Sequence, residues 1–231
     1  MSCGNIDKPA TQIMPADLID ALLCLINEVR AKHGVQSLYL NDRLRNAALE
    51  HATQAVGLRW WGGNRPAWHV NPITGSTPES RIRASGFAQR AVLSAFGEVC
   101  HGAATKVPKE ELSLSPRHAF DTWMGEPEDR AQLLNAAFRS TGIAILPQSP
   151  FASSGKDQDF NPKYATYVMT FGTAHPVVDP IRSPFEVPPH ELADYSWLGV
   201  PRLIPVCPYP VEAIPFGYAI PVYRPNFDRP R

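Results

Sequence analysis

"TGIAILPQSPFASSGKDQDFNPKYATYVMTFG", residues 141–172, carries two strand-like runs, TGIAIL (141–146) and ATYVMTFG (165–172), around a polar loop at 147–163. Branched and aromatic residues interleaved with small ones suit a pleated, half-buried surface. The loop is long for a hairpin, which predicts a mobile connection. A further strand is expected through AFGEVCHG (95–102). Upstream, the pattern changes to helix. Leu18, Leu22, Leu25/Ile26 and Val29 recur at helical spacing after Pro15, and Lys32-His33-Gly34 supplies late cations and a stop. LYL (38–40) is a short extended link. Asn41 caps a second helix, DRLRNAALEHATQAV (42–56), with Leu44, Ala47/Ala48, His51/Ala52 and Ala55 on one stripe. So much alanine on one face predicts close approach to a neighbouring element. Thr77–Pro78 and Ser115–Pro116 open two more helices by the same polar-cap-then-proline device, the second turning Ala119, Phe120 and Trp123 inward. Helices first, then an antiparallel sheet with a helix between its strands, predict an α+β fold.

Composition bounds the function. Lys plus Arg equals Asp plus Glu at 22 each, and no basic run suggests nucleic acid. No stretch reaches the roughly 18 continuous apolar residues of a transmembrane helix. Residues 1–13 lack the apolar core of a signal peptide. The start MSCGN places Cys3 beside small residues, as at a processed lipoprotein terminus, so Cys3 is either a lipid anchor or an ordinary exposed cysteine. The four cysteines (Cys3, Cys24, Cys100, Cys207) form no C-x-x-C pair. Their even number allows disulfides, but Cys24 on an apolar helix face reads more simply as a small buried hydrophobe.

Proline divides the chain: residues 176–231 hold 13 of its 24 prolines. The expected organisation is an N-terminal arm (1–15), a domain (16–173) and a proline- and aromatic-rich tail (174–231). Proline blocks helix and central strand there, while the Val, Ile, Tyr and Phe between need burial. The reading that satisfies both is an extended strap, lying on its own domain or on a partner.

Five pieces in order resemble the CAP superfamily of cysteine-rich secretory, antigen 5 and pathogenesis-related 1 proteins, in particular bacterial SCP-like members. They are LINEVRAKHGVQSLYLNDRLRNAALEHA, HVNPITGSTPESRIRASGF, GEVCHG, AFDTWMGEPEDRAQLLNAAFRSTGIAI and YVMTFGT. The resemblance implies an α-β-α sandwich with a central antiparallel sheet, and a cleft in which two His and two Glu can hold a divalent cation. It also implies an extracytoplasmic setting: secreted, periplasmic or surface-attached. Carried over, His69 matches the first histidine and Glu98 the first glutamate. The second histidine falls where this chain has Asp129, and Glu126 lies near the second glutamate's place.

One imidazole with several carboxylates would suit Mg²⁺, Ca²⁺ or Mn²⁺ better than Zn²⁺. His101, three residues after Glu98, would face the opposite side of a strand and so could not rescue the site. Asp129 also reads as a first-turn carboxylate favoured by its helix dipole. His69 also reads as a loop residue bonded to backbone, and Trp60–Trp61 as a ligand patch or as core. No G-x-S-x-G elbow and no cysteine-protease signature occurs. Three functions remain. The first is a non-catalytic, extracytoplasmic interaction or structural subunit attached through its tail. The second is a metal-dependent hydrolase using His69, Glu98 and Asp129. The third is a carrier of a lipid or other small apolar ligand.

Overall fold

The computed structural model describes residues 3–89, 91–106, 108–152 and 162–176. Helix α1 (Pro15–Lys32) starts on proline and ends beside Gly34, which takes the left-handed conformation (φ 69°). A two-residue strand β1 (Tyr39–Leu40) precedes α2 (Asp42–Leu58), whose cap Asn41 accepts from the amides of Arg43 and Leu44. A 3-10 turn (Arg65–His69) leads to α3 (Pro78–Ala84), opened by a capping box between Thr77 and Ser80. Then follow β2 (Ala91–Thr105), a second 3-10 turn (Pro108–Leu114), α4 (Pro116–Gly125), α5 (Pro127–Leu133), β3 (Ser140–Leu146) and β4 (Lys163–Pro176).

The strands order as β1-β3-β4-β2. β4 pairs antiparallel with both neighbours, whereas β1 lies parallel to β3. The long strands are antiparallel, as expected, and the two-residue β1 adds a parallel pairing at one edge. The link LYL is the reason: it runs along the start of β3 before turning into α2. The fold is α+β, as expected. The expected strap lies, beyond Pro176, outside the described residues, as do residues 153–161 of the polar loop.

Strand alternation sends odd and even residues to opposite faces. Val99, Ile143, Ile145, Tyr167, Met169 and Phe171 pack against Leu18, Leu22 and Ile26 of α1 and Trp123 of α4. Cys100, Ala144 and Val168 pack on the other face, against Ala48, Ala52 and Ala55 of α2 and the rings of Trp61 and Trp68. Completely burying one such Leu, Ile or Phe contributes ~1.5–3 kcal/mol. Trp61 and Trp68 stack 4.9 Å apart, with Trp61 fully buried, so this tryptophan is core.

The alanine stripe of α2 does permit close approach. A Cβ added at Gly142 would stand 2.0 Å from the backbone of Leu44 and Arg45, and Thr170 donates its hydroxyl to the Leu44 carbonyl at 2.9 Å. Two features were not anticipated. Arg30 is fully buried and donates to the carbonyls of Gln36, Leu133, Asn135 and Phe138, tying α1 to the approach to β3. Cys3 and Cys24 are joined in a disulfide, their Cα atoms 5.7 Å apart. This corrects both cysteine readings: Cys24 is not a free apolar side chain. Cys3 is buried, and its sulfur is not free to carry the thioether of a lipid anchor.

Candidate functional site

The HVNPITGSTPESRIR stretch builds one wall. Asn71 accepts from the amides of Ile73 and Thr74, and Gly75 takes a left-handed φ of 69°, closing a tight turn. The turn delivers the chain to the Thr77 cap, and α3 then carries Arg81 inward. Arg81, 1% exposed, donates to the carbonyls of Ser76 and His69 and, from Nη2, to both carboxylate oxygens of Glu98 at 2.9 Å.

Glu98 and Cys100 lie two apart on β2 and so face the same side, toward α2. The Glu98 side chain is fully buried and ringed by donors. His69 Nδ1 lies 2.9 Å from Oε1, the Cys100 thiol donates to it at 3.7 Å, and His51 Nε2 stands 3.6 Å away. Burial alone would raise the Glu98 pKa; the attraction of His51, the His69 hydrogen bond and the Arg81 charge outweigh it and bring it to about 2. His51 falls to about 4, driven by burial against the pull of Glu98, with the Arg81 and His69 charges adding to the fall. At neutral pH His51 is therefore uncharged, and Arg81 supplies the permanent compensating charge. Burial, and next the Glu98 charge, hold the Cys100 thiol well above its usual range, so it is no nucleophile.

His69 forms the boundary with solvent, its side chain 29% exposed. It opens on a cleft of about 440 Å³ that Arg65, Trp68, Cys100, Glu126 and Asp129 also line. Arg65 sits over the Trp68 ring and binds Asp129 at 2.8 Å and Glu126 at 3.3 Å. Burial raises the Asp129 pKa, while Arg65 pulls it back.

The structure thus brings His69 and Glu98 into contact. Asp129, in the first turn of α5 as expected, and Glu126 line the same cleft but turn to Arg65. The oxygen-rich set His69, Glu98, Asp129 and Glu126 is a poor fit to a hard cation, since two of its carboxylates are already neutralised by a guanidinium. Among the described residues, two groups bring three donor atoms within 4.8 Å: His51, Glu98 and Cys100, and Cys3, Cys24 and Glu28, the latter with its sulfurs in the disulfide. His101 faces the other side of the sheet, as its spacing predicts, edge-on to His118 and Trp123.

Sequence reasoning missed His51 and Arg81. His51 sat in plain view on the buried stripe of α2, where a polar side chain needs a partner.

A family model described as "CAP: Cysteine-rich secretory protein family" matches residues 23–153. Among solved structures, the chain is similar to an outer surface protein of Borrelia burgdorferi (20% identity, TM-score 0.50, 70% of this chain and 96% of that one). It is also similar to an extracellular SCP-domain protein of Bacillus anthracis (15%, TM-score 0.48, 69% and 44%). A third is a cysteine-rich secretory protein of Staphylococcus aureus (14%, TM-score 0.41, 71% and 40%). The chain therefore spans under half the length of the latter two. A comparison with curated proteins found no match. The family match over more than half of the sequence, on a sandwich that seats His69 against Glu98, places this chain in the cysteine-rich secretory protein (CAP) family.

Proposed function

We propose that the chain is a non-catalytic CAP module, an extracytoplasmic interaction or structural subunit whose tail (176–231) is its attachment. The observation that carries this is the commitment of Glu98. A carboxylate fully buried and held on both oxygens by Arg81 anchors the loop and α3 to β2; it is not a free base. The cleft's remaining carboxylates belong to Arg65, and its thiol is protonated. The disulfide suits an oxidising, extracytoplasmic compartment, and the Borrelia protein of the same fold is an outer surface protein. No helix among the described residues is long and apolar enough to cross a membrane. A carrier of apolar ligands is disfavoured, because a lipid tail entering here would desolvate Arg65, Glu126 and Asp129.

Two measurements test the proposal. Removing residues 177–231 is expected to abolish co-purification with the native partner or assembly. Turnover of a peptide or ester panel is expected to match the buffer blank. One observation favours a second reading, a hydrolase with His69 as general base. Nδ1 is oriented by Glu98, and no partner binds Nε2 among the described residues, so that nitrogen is available to the cleft. Turnover that disappears in His69→Ala would establish it and refute the first. A truncated chain that keeps its partner would refute the tail's role alone.

A further inference from the structure

Each carboxylate that the family resemblance brings to the cleft is answered by an arginine of the chain itself. Glu98 is held on both oxygens by Arg81, and Glu126 and Asp129 share Arg65. Arg65 opens the 3-10 turn on one wall of the cleft. On the other wall, Glu126 stands at the N-cap of α5 and Asp129 in its first turn. Nη2 meets Asp129 Oδ2 at 2.8 Å and Nη1 meets Glu126 Oε1 at 3.3 Å, so one planar fork closes on two carboxylates. Among the described residues, no other hydrogen bond or ion pair joins the 3-10 turn to residues 126–133.

The guanidinium rests on a fixed platform. It lies 5.4 Å over the Trp68 ring, which is stacked on Trp61 and donates its indole N–H to the Gly62 carbonyl at 2.8 Å. A charge so seated loses little further side-chain freedom in holding its partners. The Asp129 side chain is only 15% exposed, so its carboxylate requires a counter-charge.

We propose that Arg65 takes the place of the divalent cation that the family resemblance implies: it neutralises the carboxylates, braces one wall of the cleft against the other, and leaves the cleft independent of metal. The physical reason is competition for the same oxygens. A hard cation reaches Glu126 and Asp129 only by displacing the guanidinium, and the two positive charges repel at such range. Both oxygens of Glu98 are engaged, by Arg81 and His69. One imidazole at the mouth is a poor holder of Mg²⁺, Ca²⁺ or Mn²⁺. The departure rests on one residue, so removing it should restore the cleft's demand for a cation.

The test follows thermal unfolding of full-length wild type, Arg65→Met and Arg65→Met/Asp129→Asn, each stripped with a chelator and then given millimolar Ca²⁺ or Mn²⁺. Wild-type Tm is expected to stay within about 1 °C through both steps. Arg65→Met leaves two carboxylates without a counter-charge and should melt at least about 2 °C lower when stripped. With either ion it should regain at least about 2 °C, as a site of millimolar affinity does at several-fold excess. The double variant should lose that recovery, which ties it to Asp129. A wild-type protein that melts lower after stripping, or higher with either ion, overturns the proposal. So does an Arg65→Met protein that is unaffected, one whose loss neither ion repairs, or a recovery that persists in the double variant. If Arg65→Met folds only with the ion present, the proposal holds; if it folds under neither condition, Arg65→Gln takes its place in the same comparison. None of these readings measures turnover or partner capture, so the non-catalytic reading stands or falls separately.

Discussion

Glu98→Gln in chelator-treated buffer removes one charge from a nearly isosteric side chain and leaves Arg81, 1% exposed, with its guanidinium uncompensated. Breaking a buried pair from one side costs ~3–5 kcal/mol. For a domain of this size each kcal/mol moves the melting temperature by about 2–4 °C, so a loss near 4 kcal/mol lowers Tm by roughly 8–16 °C. The assay is thermal and urea unfolding followed by circular dichroism at pH 7. The double variant Arg81→Met/Glu98→Gln should recover part of the loss, with a coupling of about 1–3 kcal/mol. Arg83→Met, which breaks an exposed pair with Glu79, should cost under about 1 kcal/mol. The acid limb adds a second check. The Glu98 pKa is lowered on folding, so its contribution is complete above about 4.5 and is lost as pH falls toward about 2. The gap between wild type and Glu98→Gln must therefore close over that window. A Glu98→Gln protein within 1 kcal/mol of wild type, or strictly additive losses, would refute the clasp between α3 and β2.

Gly142→Ala should overpack α2 against β3 and cost about 3 kcal/mol or more, whereas Gly57→Ala, with open space around it, should raise stability by ~0.5–1 kcal/mol; equal effects in urea unfolding would show that the helix does not sit so close. Burial, then His118 and Arg65, bring the His101 pKa to about 3. The unfolded chain then takes the proton first, and the stability this group contributes is complete above about 6.5 and falls away toward pH 3. His101→Leu should flatten unfolding free energy against pH across that range, and an unchanged profile would refute the burial argument. Cys24→Ser opens a loop whose cysteines are 21 residues apart and should lower stability by about 3 kcal/mol, measured against wild type without reductant.

Periodicity made the helices legible because Leu18, Leu22 and Ile26 obey one spacing and Ala48, Ala52 and Ala55 another. The proline-opened caps marked where α3 and α4 begin. The parallel pairing of β1 was not legible, since two residues carry no period. Helical spacing placed His51 on the buried face of α2 but cannot say which strand that face meets; the glutamate opposite is 47 residues away in sequence. The His69–Glu98 contact followed from the family resemblance rather than from local pattern. Arg81 escaped notice because α3 also carries Arg83, and only tertiary packing separates the buried arginine from the exposed one. Cysteine count left the pairing open, and proximity decided it.

The absent side chain at Gly142 sets the height of α2 above the sheet, and His51 rides on that helix seven residues beyond Leu44. At 1.5 Å per residue the two points are about 10 Å apart on a stiff rod, so any lift at its first turn carries through to the imidazole. Control of the cluster's geometry is thus exercised from a residue that makes no contact with it. A search for variants that retune the cluster would do well to begin at position 142 and its neighbour Thr170 rather than at the donor side chains themselves.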